Sequence, residues 1–231
     1  MTLAQRDSQL REVMDDPDCD PRLLRRTLRG FPLVNRAVSG WGRVYRSHVR
    51  PALERAGGRA RLLDIGCGGG DVLRRLVRAA RADGIDIEAV GIDPDPRAVE
   101  VARETPMPGV SIRQAFSADL VQEGCEPFDA VVSNHLLHHL SEQEITQLLD
   151  DSAALSQGVS VHSDIARSRA AYGLFALGSI PVAAGTLLRV DGLRSIRRSF
   201  TGAELAQTLP AGWQVEQPSR FRLLAVRREW S

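Results

Sequence analysis

The stretch LLDIGCGGGD, residues 62–71, limits what this chain can fold into more than any other. Its apolar start reads as the end of a β-strand. DVLRRLVRAARA (71–82), which follows, puts Val72, Leu73, Leu76, Val77 and Ala80 on one helical face. Between them Gly66, Gly68 and Gly70 make a turn almost bare of side chains, so a ligand can approach the backbone closely near a helix N-terminus. The third glycine of a dinucleotide-binding G-x-G-x-x-G is missing, because Asp71 stands in its place. Asp64, inside the strand end, would repel a pyrophosphate and suits a cationic ligand.

The pattern around this turn alternates strand and helix. IEAVGID (87–93), VSIRQA (110–115), FDAVVSN (128–134) and GVSVHSDI (158–165) read as further strands, and DPRAVEVARE (95–104) and SEQEITQLLDDSAAL (141–155) as helices. Ser141 with Glu144, and Thr201 with Glu204, form capping boxes. Such alternation predicts an α/β fold with a mostly parallel sheet covered on both faces. GWQVEQPSRFRLLAVRR (212–228) predicts a terminal β-hairpin turning at Pro218-Ser219. Residues 1–57 read as an N-terminal helical lid. There RGFP (29–32) breaks one helix, and Val34, Val38, Trp41, Tyr45 and Val49 continue at helical spacing. Residues 58–231 form the ligand-binding domain, with a lid insert at about 168–198.

Composition narrows the function. Among the 231 residues, 30 basic residues, all arginine, face 29 acidic ones, a net charge of +1 that creates no general attraction to nucleic acid. No apolar run approaches the roughly 20 residues a membrane helix needs, and MTLAQRDSQLREVMDDPDCD lacks the apolar centre of a signal peptide. A cytoplasmic location is expected. Cys19, Cys67 and Cys125 are widely spaced and odd in number, which argues against a disulfide framework or a zinc knuckle.

Asp93 stands at the tip of the second strand, in GIDPDP, where a carboxylate can accept both hydroxyls of a ribose. Asp119, in FSADL after the third strand, can accept from an exocyclic amine. Three carboxylates at three consecutive strand ends fit an adenosine with a positive appendage. In these motifs the span from Arg61 to about Ile165 resembles the class I S-adenosylmethionine (SAM)-dependent methyltransferases, and FDAVVSNHLLHHL resembles the fourth-strand motif of their ubiquinone/menaquinone-type branch. The resemblance implies a Rossmann-like seven-stranded sheet with an antiparallel last strand, and SAM as cofactor with S-adenosylhomocysteine (SAH) as product. It places Asp64, Gly66, Cys67 and Gly68 near the methionine amino group, and Asp93 and Pro94 at the ribose. Ala118 and Asp119 fall at the adenine, and the Asn134 backbone at the methionine end.

NHLLHH (134–139) holds three of the five histidines. Relatives that methylate catechols or RNA ends carry two glutamates and a histidine at this spacing. Here His135 and His138 replace the glutamates, so no metal is expected. His139, His138 or His162 is a candidate general base for a phenol, and the alternative is that these histidines only shape the turn before Ser141. The N-P-P-[YFW]-like tetrad of base-amino methyltransferases is absent. Phe31, Trp41, Tyr45, Tyr172 and Phe175 are candidate liners of an apolar pocket. The expected reaction is O-methylation of a small aromatic acceptor, phenolic or polyketide-like, with C- or N-methylation of a quinone-like molecule and a non-catalytic partner protein as alternatives. No nucleic-acid or membrane partner is expected, and a homodimer is left open.

Overall fold

Ala60–Ile65 (β1) pairs in parallel with Ile87–Asp93 (β2) on one side and Phe128–Asn134 (β4) on the other, so the strand that feeds the glycine turn lies mid-sheet. Val110–Gln114 (β3) adds beyond β2, and Ser156–Ile165 (β5) beyond β4. Arg222–Arg228 (β7) enters antiparallel beside β5, and Gln214–Ser219 (β6) closes the edge, for the order β3-β2-β1-β4-β5-β7-β6. The computed structural model describes residues 3–229, without the side chains of residues 36–38; Val38 of the sequence pattern therefore has no described side chain.

Helices Asp71–Ala82 (α4), Pro96–Arg103 (α5), Ser117–Gln122 (α6), Glu142–Leu155 (α7), Arg169–Gly178 (α8), Leu188–Arg198 (α9) and Gly202–Thr208 (α10) follow Pro21–Val38 (α1), Trp41–Val44 (α2) and Arg50–Glu54 (α3). Alternation along β1 sends Leu62 to one face, with Trp41, Leu73 and Leu76, and Leu63 to the other, with Ile145, Leu149 and Trp213. Residues 41–54 thus share a core with the sheet. Gly91 permits the close packing of α4, because a Cβ there would lie 2.9 Å from Cys67 Sγ, Leu73 Cδ2 and Ile112 Cδ1. Both capping boxes form. No helix among the described residues is long and apolar enough to cross a membrane.

Two expectations need correction. RGFP does not break the first helix, and α1 runs through Pro32. An interior proline costs about 3 kcal/mol. Ahead of the proline, Leu24 and Leu28 are buried and Arg25–Glu100 and Arg29–Glu104 tie α1 to α5, while Gly30 sits where a Cβ would be 2.9 Å from Leu188 Cδ1. The terminal hairpin turns after Ser219 rather than at Pro218-Ser219, and the β6–β7 register shifts between Glu216 and Ser219. Pro218 lacks an N–H, and an edge strand tolerates it at such an irregularity.

Candidate active site

The glycine turn closes with Gly66, Gly68 and Gly70 all at positive φ (68°, 52° and 72°), a conformation that side-chain-bearing residues rarely adopt. Beneath it Asp64 is 1% exposed, and among the described residues neither carboxylate oxygen has a well-formed hydrogen bond, the Leu73 backbone N–H being the nearest support. Burial, reinforced by the charges of Asp71 and Asp93, pushes its carboxyl well above the ordinary range. An unpaired buried carboxylate is costly, and a cationic group seated over it would remove the cost. The residues therefore fit the methionine ammonium of SAM. Cys67 contributes backbone: its N–H donates to Ile92 O (2.9 Å), while its buried thiol faces Gly91.

Asp93 sits at the tip of β2 and accepts from Gly68 N (2.9 Å) and Asp95 N (3.0 Å), one on each oxygen, so the carboxylate is fixed beside the turn with lone pairs to spare. Pro94 follows it, and its carbonyl accepts from Gln114 (3.3 Å). Ala118 and Asp119 lie in the first turn of α6, where Asp119 Oδ2 accepts from Phe116 N (2.8 Å) and so caps the helix. Phe116 itself is 63% exposed at the end of β3, an aromatic residue the sequence reading passed over. Asn134 ends β4 and accepts from the buried Trp41 indole (2.9 Å). Asn35 donates to Asp71 (3.0 Å). The N-terminal helices are thereby fastened to both sides of the turn.

After β4 the chain reverses through His135, whose φ of 58° lies in the left-handed region. Its imidazole pairs with Arg222, and burial together with that guanidinium holds it neutral. The reversal carries Leu136 over Gly66 and presents His138 and His139 on the short helical turn Leu137–His139. Asp164 Oδ1 lies 2.7 Å from His138 Nδ1, and its Oδ2 accepts from the His138 backbone N–H (2.9 Å). On the other side, His138 Nε2 lies 3.2 Å from Glu12 Oε1. Burial alone would lower His138, but Asp164 and Glu12 outweigh it and raise the imidazole to about 9. His139 is 24% exposed; its Nδ1 lies 3.0 Å from Asp15, and its Nε2 lies 3.7 Å from Glu12.

His162 is not part of this group. Residues 162 and 164 share one face of β5, but Asp164 lies nearer the strand's C-terminal tip and His162 one pleat deeper. There its Nδ1 meets Ser133 Oγ (2.8 Å) and its ring lies 5.2 Å from that of Trp213. Burial lowers it to about 3. A sealed, neutral imidazole cannot meet an acceptor, so His162 is removed from the catalytic candidates.

Residues 6–15 supply what the sequence reading missed. Arg6 donates to Arg198 O (2.7 Å) and Leu140 O (2.9 Å), and Asp191 accepts from Val13 N and Met14 N (2.7 and 3.1 Å). These bonds lay the segment against α9 and place Glu12, 4% exposed, against Ser195 Oγ (2.6 Å) and the two imidazoles. Of the expected pocket liners, Trp41 and Tyr45 belong to the core. Tyr172 lines a cavity of about 360 Å³ with Arg189, Leu193 and Arg197 of α9.

Residues 62–157 match the family model described as a methyltransferase domain. The chain is 32% identical over 178 residues to a ubiquinone biosynthesis O-methyltransferase of Xanthomonas axonopodis pv. citri (strain 306), covering 74% of this chain and 69% of that one. A protein of the same description from Brucella anthropi is 28% identical over 121 residues, 52% of this chain and 46% of its own. Among solved structures, the plantazolicin methyltransferase BpumL, in complex with a triazolic desmethylPZN analog and SAH, superposes with a TM-score of 0.64 at 14% identity, over 93% of this chain and 92% of that one. Magnesium protoporphyrin IX methyltransferase from Synechocystis PCC 6803, with bound SAH, gives 0.52 at 19% identity, over 87% and 85%.

Proposed function

We propose, of a chain that belongs to the class I SAM-dependent methyltransferases and uses SAM as its cofactor, that it O-methylates a small, mostly apolar, phenolic acceptor. The observation that carries the oxygen preference is His139. Of the three histidines first considered, it is the one with an imidazole still open to solvent, and Asp15 orients it. The curated relatives named for O-methylation in ubiquinone biosynthesis support the same reading.

Bound SAM supplies a methyl group on a sulfonium. Asp64 would hold the methionine ammonium, the Gly66–Gly70 backbone would let the cofactor lie close, and Asp93 would take the ribose hydroxyls. Phe116 and the start of α6 would border the adenine. The Asn134–Leu136 reversal would hold the methionine end, with Trp41 keeping Asn134 in place. The methyl would be an electrophile for a phenolic oxygen in line with it, with SAH as the leaving group, and His139 Nε2 would take the phenol's proton.

The test is calorimetric titration with SAM and SAH, followed by mass spectrometry of products from matched panels of phenols, amines and thiols. Methyl transfer confined to phenolic oxygen is the expected result. Transfer to nitrogen or carbon alone would discard the oxygen reading, and SAM binding without turnover on any panel would favour a non-catalytic partner.

A further inference from the structure

We propose that Glu12, His138 and His139 form a binding site for a divalent transition-metal ion, Zn²⁺ first among them. The sequence reading expected no metal, because imidazoles replace the acidic side chains within NHLLHH. The fold restores a carboxylate from elsewhere: Glu12 Oε1, from the N-terminal segment, lies 3.2 Å from His138 Nε2 and 3.7 Å from His139 Nε2. All three ligand atoms lie within 4.8 Å of one another. With Zn–N and Zn–O bonds of about 2.0–2.1 Å, two ligands of a tetrahedral ion are about 3.3 Å apart, close to the separations of Glu12 from each imidazole.

The surroundings are those of a metal site. Each imidazole has its other nitrogen against a carboxylate: His138 Nδ1 lies 2.7 Å from Asp164, and His139 Nδ1 3.0 Å from Asp15. That arrangement fixes Nδ1 as a protonated nitrogen in each ring, so that an ion displacing the proton between His138 and Glu12 would meet both Nε2 atoms beside the Glu12 carboxylate. Three carboxylates thus surround two imidazoles. Arg198 is close to one of them, with its Nη1 3.5 Å from Asp15. Glu12 and His138 are buried while His139 is part-exposed, so the three ligands leave a coordination position on the open side. Two nitrogen ligands select Zn²⁺, Co²⁺ or Fe²⁺ over Mg²⁺ and Ca²⁺, which take oxygen.

The consequence for catalysis, unlike the ion site itself, rests on the proposed function. With the ion bound, His139 is a ligand rather than a base, and the open position receives the acceptor's oxygen, whose proton is lost to water on binding. Without the ion, His139 takes the proton itself.

The test needs neither SAM nor acceptor. The full chain is stripped with chelator and titrated calorimetrically with ZnCl₂, CoCl₂ and MgCl₂. Zn²⁺ is expected to bind one per chain. Co²⁺ should give a tetrahedral visible absorption band without the near-ultraviolet band of thiolate ligation, and Mg²⁺ should neither bind nor compete. Glu12→Gln and His139→Gln should each weaken Zn²⁺ at least about ten-fold, with His48→Gln unchanged. Circular dichroism checks folding; part-exposed His139 keeps the test open should Glu12→Gln fail to fold. Absence of saturable Zn²⁺ binding, equal affinity for Mg²⁺, or undiminished affinity in His139→Gln would overturn the proposal. A separate SAM titration distinguishes the two readings: SAM binding without Zn²⁺ binding removes only the ion, and Zn²⁺ binding without SAM binding removes only the proposed function.

Discussion

Glu12 Oε1 lies 3.2 Å from His138 Nε2, although 126 residues separate them in the chain. Opposite, Asp164 grips the same imidazole by side chain and backbone. Burial pushes both carboxyls up, but the imidazoles outweigh it and hold them below their ordinary values. The Asp164–His138–Glu12 line is therefore a structural tie, joining β5, the turn after β4 and the N-terminal segment.

Removing one partner of a buried pair leaves the other uncompensated. Asp164→Ala is expected to destabilise the chelator-treated protein by about 3–5 kcal/mol, read from urea unfolding. A change within about 0.5 kcal/mol would mean that the tie contributes little to the fold.

Asp64 should behave in the opposite way. In the ligand-free protein its carboxyl is raised, so the unfolded chain gives up that proton more readily and stability falls as pH rises above the unfolded value near 4. Asp64→Asn is expected to gain about 1–3 kcal/mol at pH 7 and to lose SAM binding. At a hundred times its Kd, SAM stabilises a protein by about 2.7 kcal/mol, and the variant should show none of that shift on thermal unfolding. A variant both less stable and still shifted by SAM would contradict the assignment.

In the chelator-treated protein His139→Gln is expected to lower turnover on the phenolic acceptor by about 10²–10⁴-fold while leaving the SAM Kd within about two-fold. His48, which pairs with Glu216 and Arg228 far from the glycine turn, is the control. Equal loss in His48→Gln would point to a folding defect instead.

His162 sets an acid limit. Its folded value of about 3 lies below the unfolded value near 6.5, so between those two pH values the unfolded chain binds more protons and stability falls with acidification. His162→Gln should remove one proton's worth of that slope in urea midpoints measured across this window. An unchanged slope would show that His162 is protonated in the folded chain.

The strand–turn–helix character of residues 60–82, the strand tips bearing Asp93 and Asn134, and both capping boxes were legible in the sequence. Each depends on near neighbours: period-two or helical burial, glycine's access to positive φ, and side-chain caps three residues away. The course of α1 through Pro32 was not, because the neighbours that α1 packs against, α5 and Leu188 on α9, lie far along the chain. His162 and His138 look alike in the sequence, and one pleat of β5 together with Trp213 separates them.

The sequence by itself determined a glycine turn with a carboxylate beneath it, since that turn and Asp64 are contiguous. Only the tertiary structure decided which side chains surround His138 and His139. Glu12, Asp15 and Asp164 reach His138 and His139 from distant segments, through charge pairing in a desolvated space that folding creates and that no local pattern in the sequence encodes.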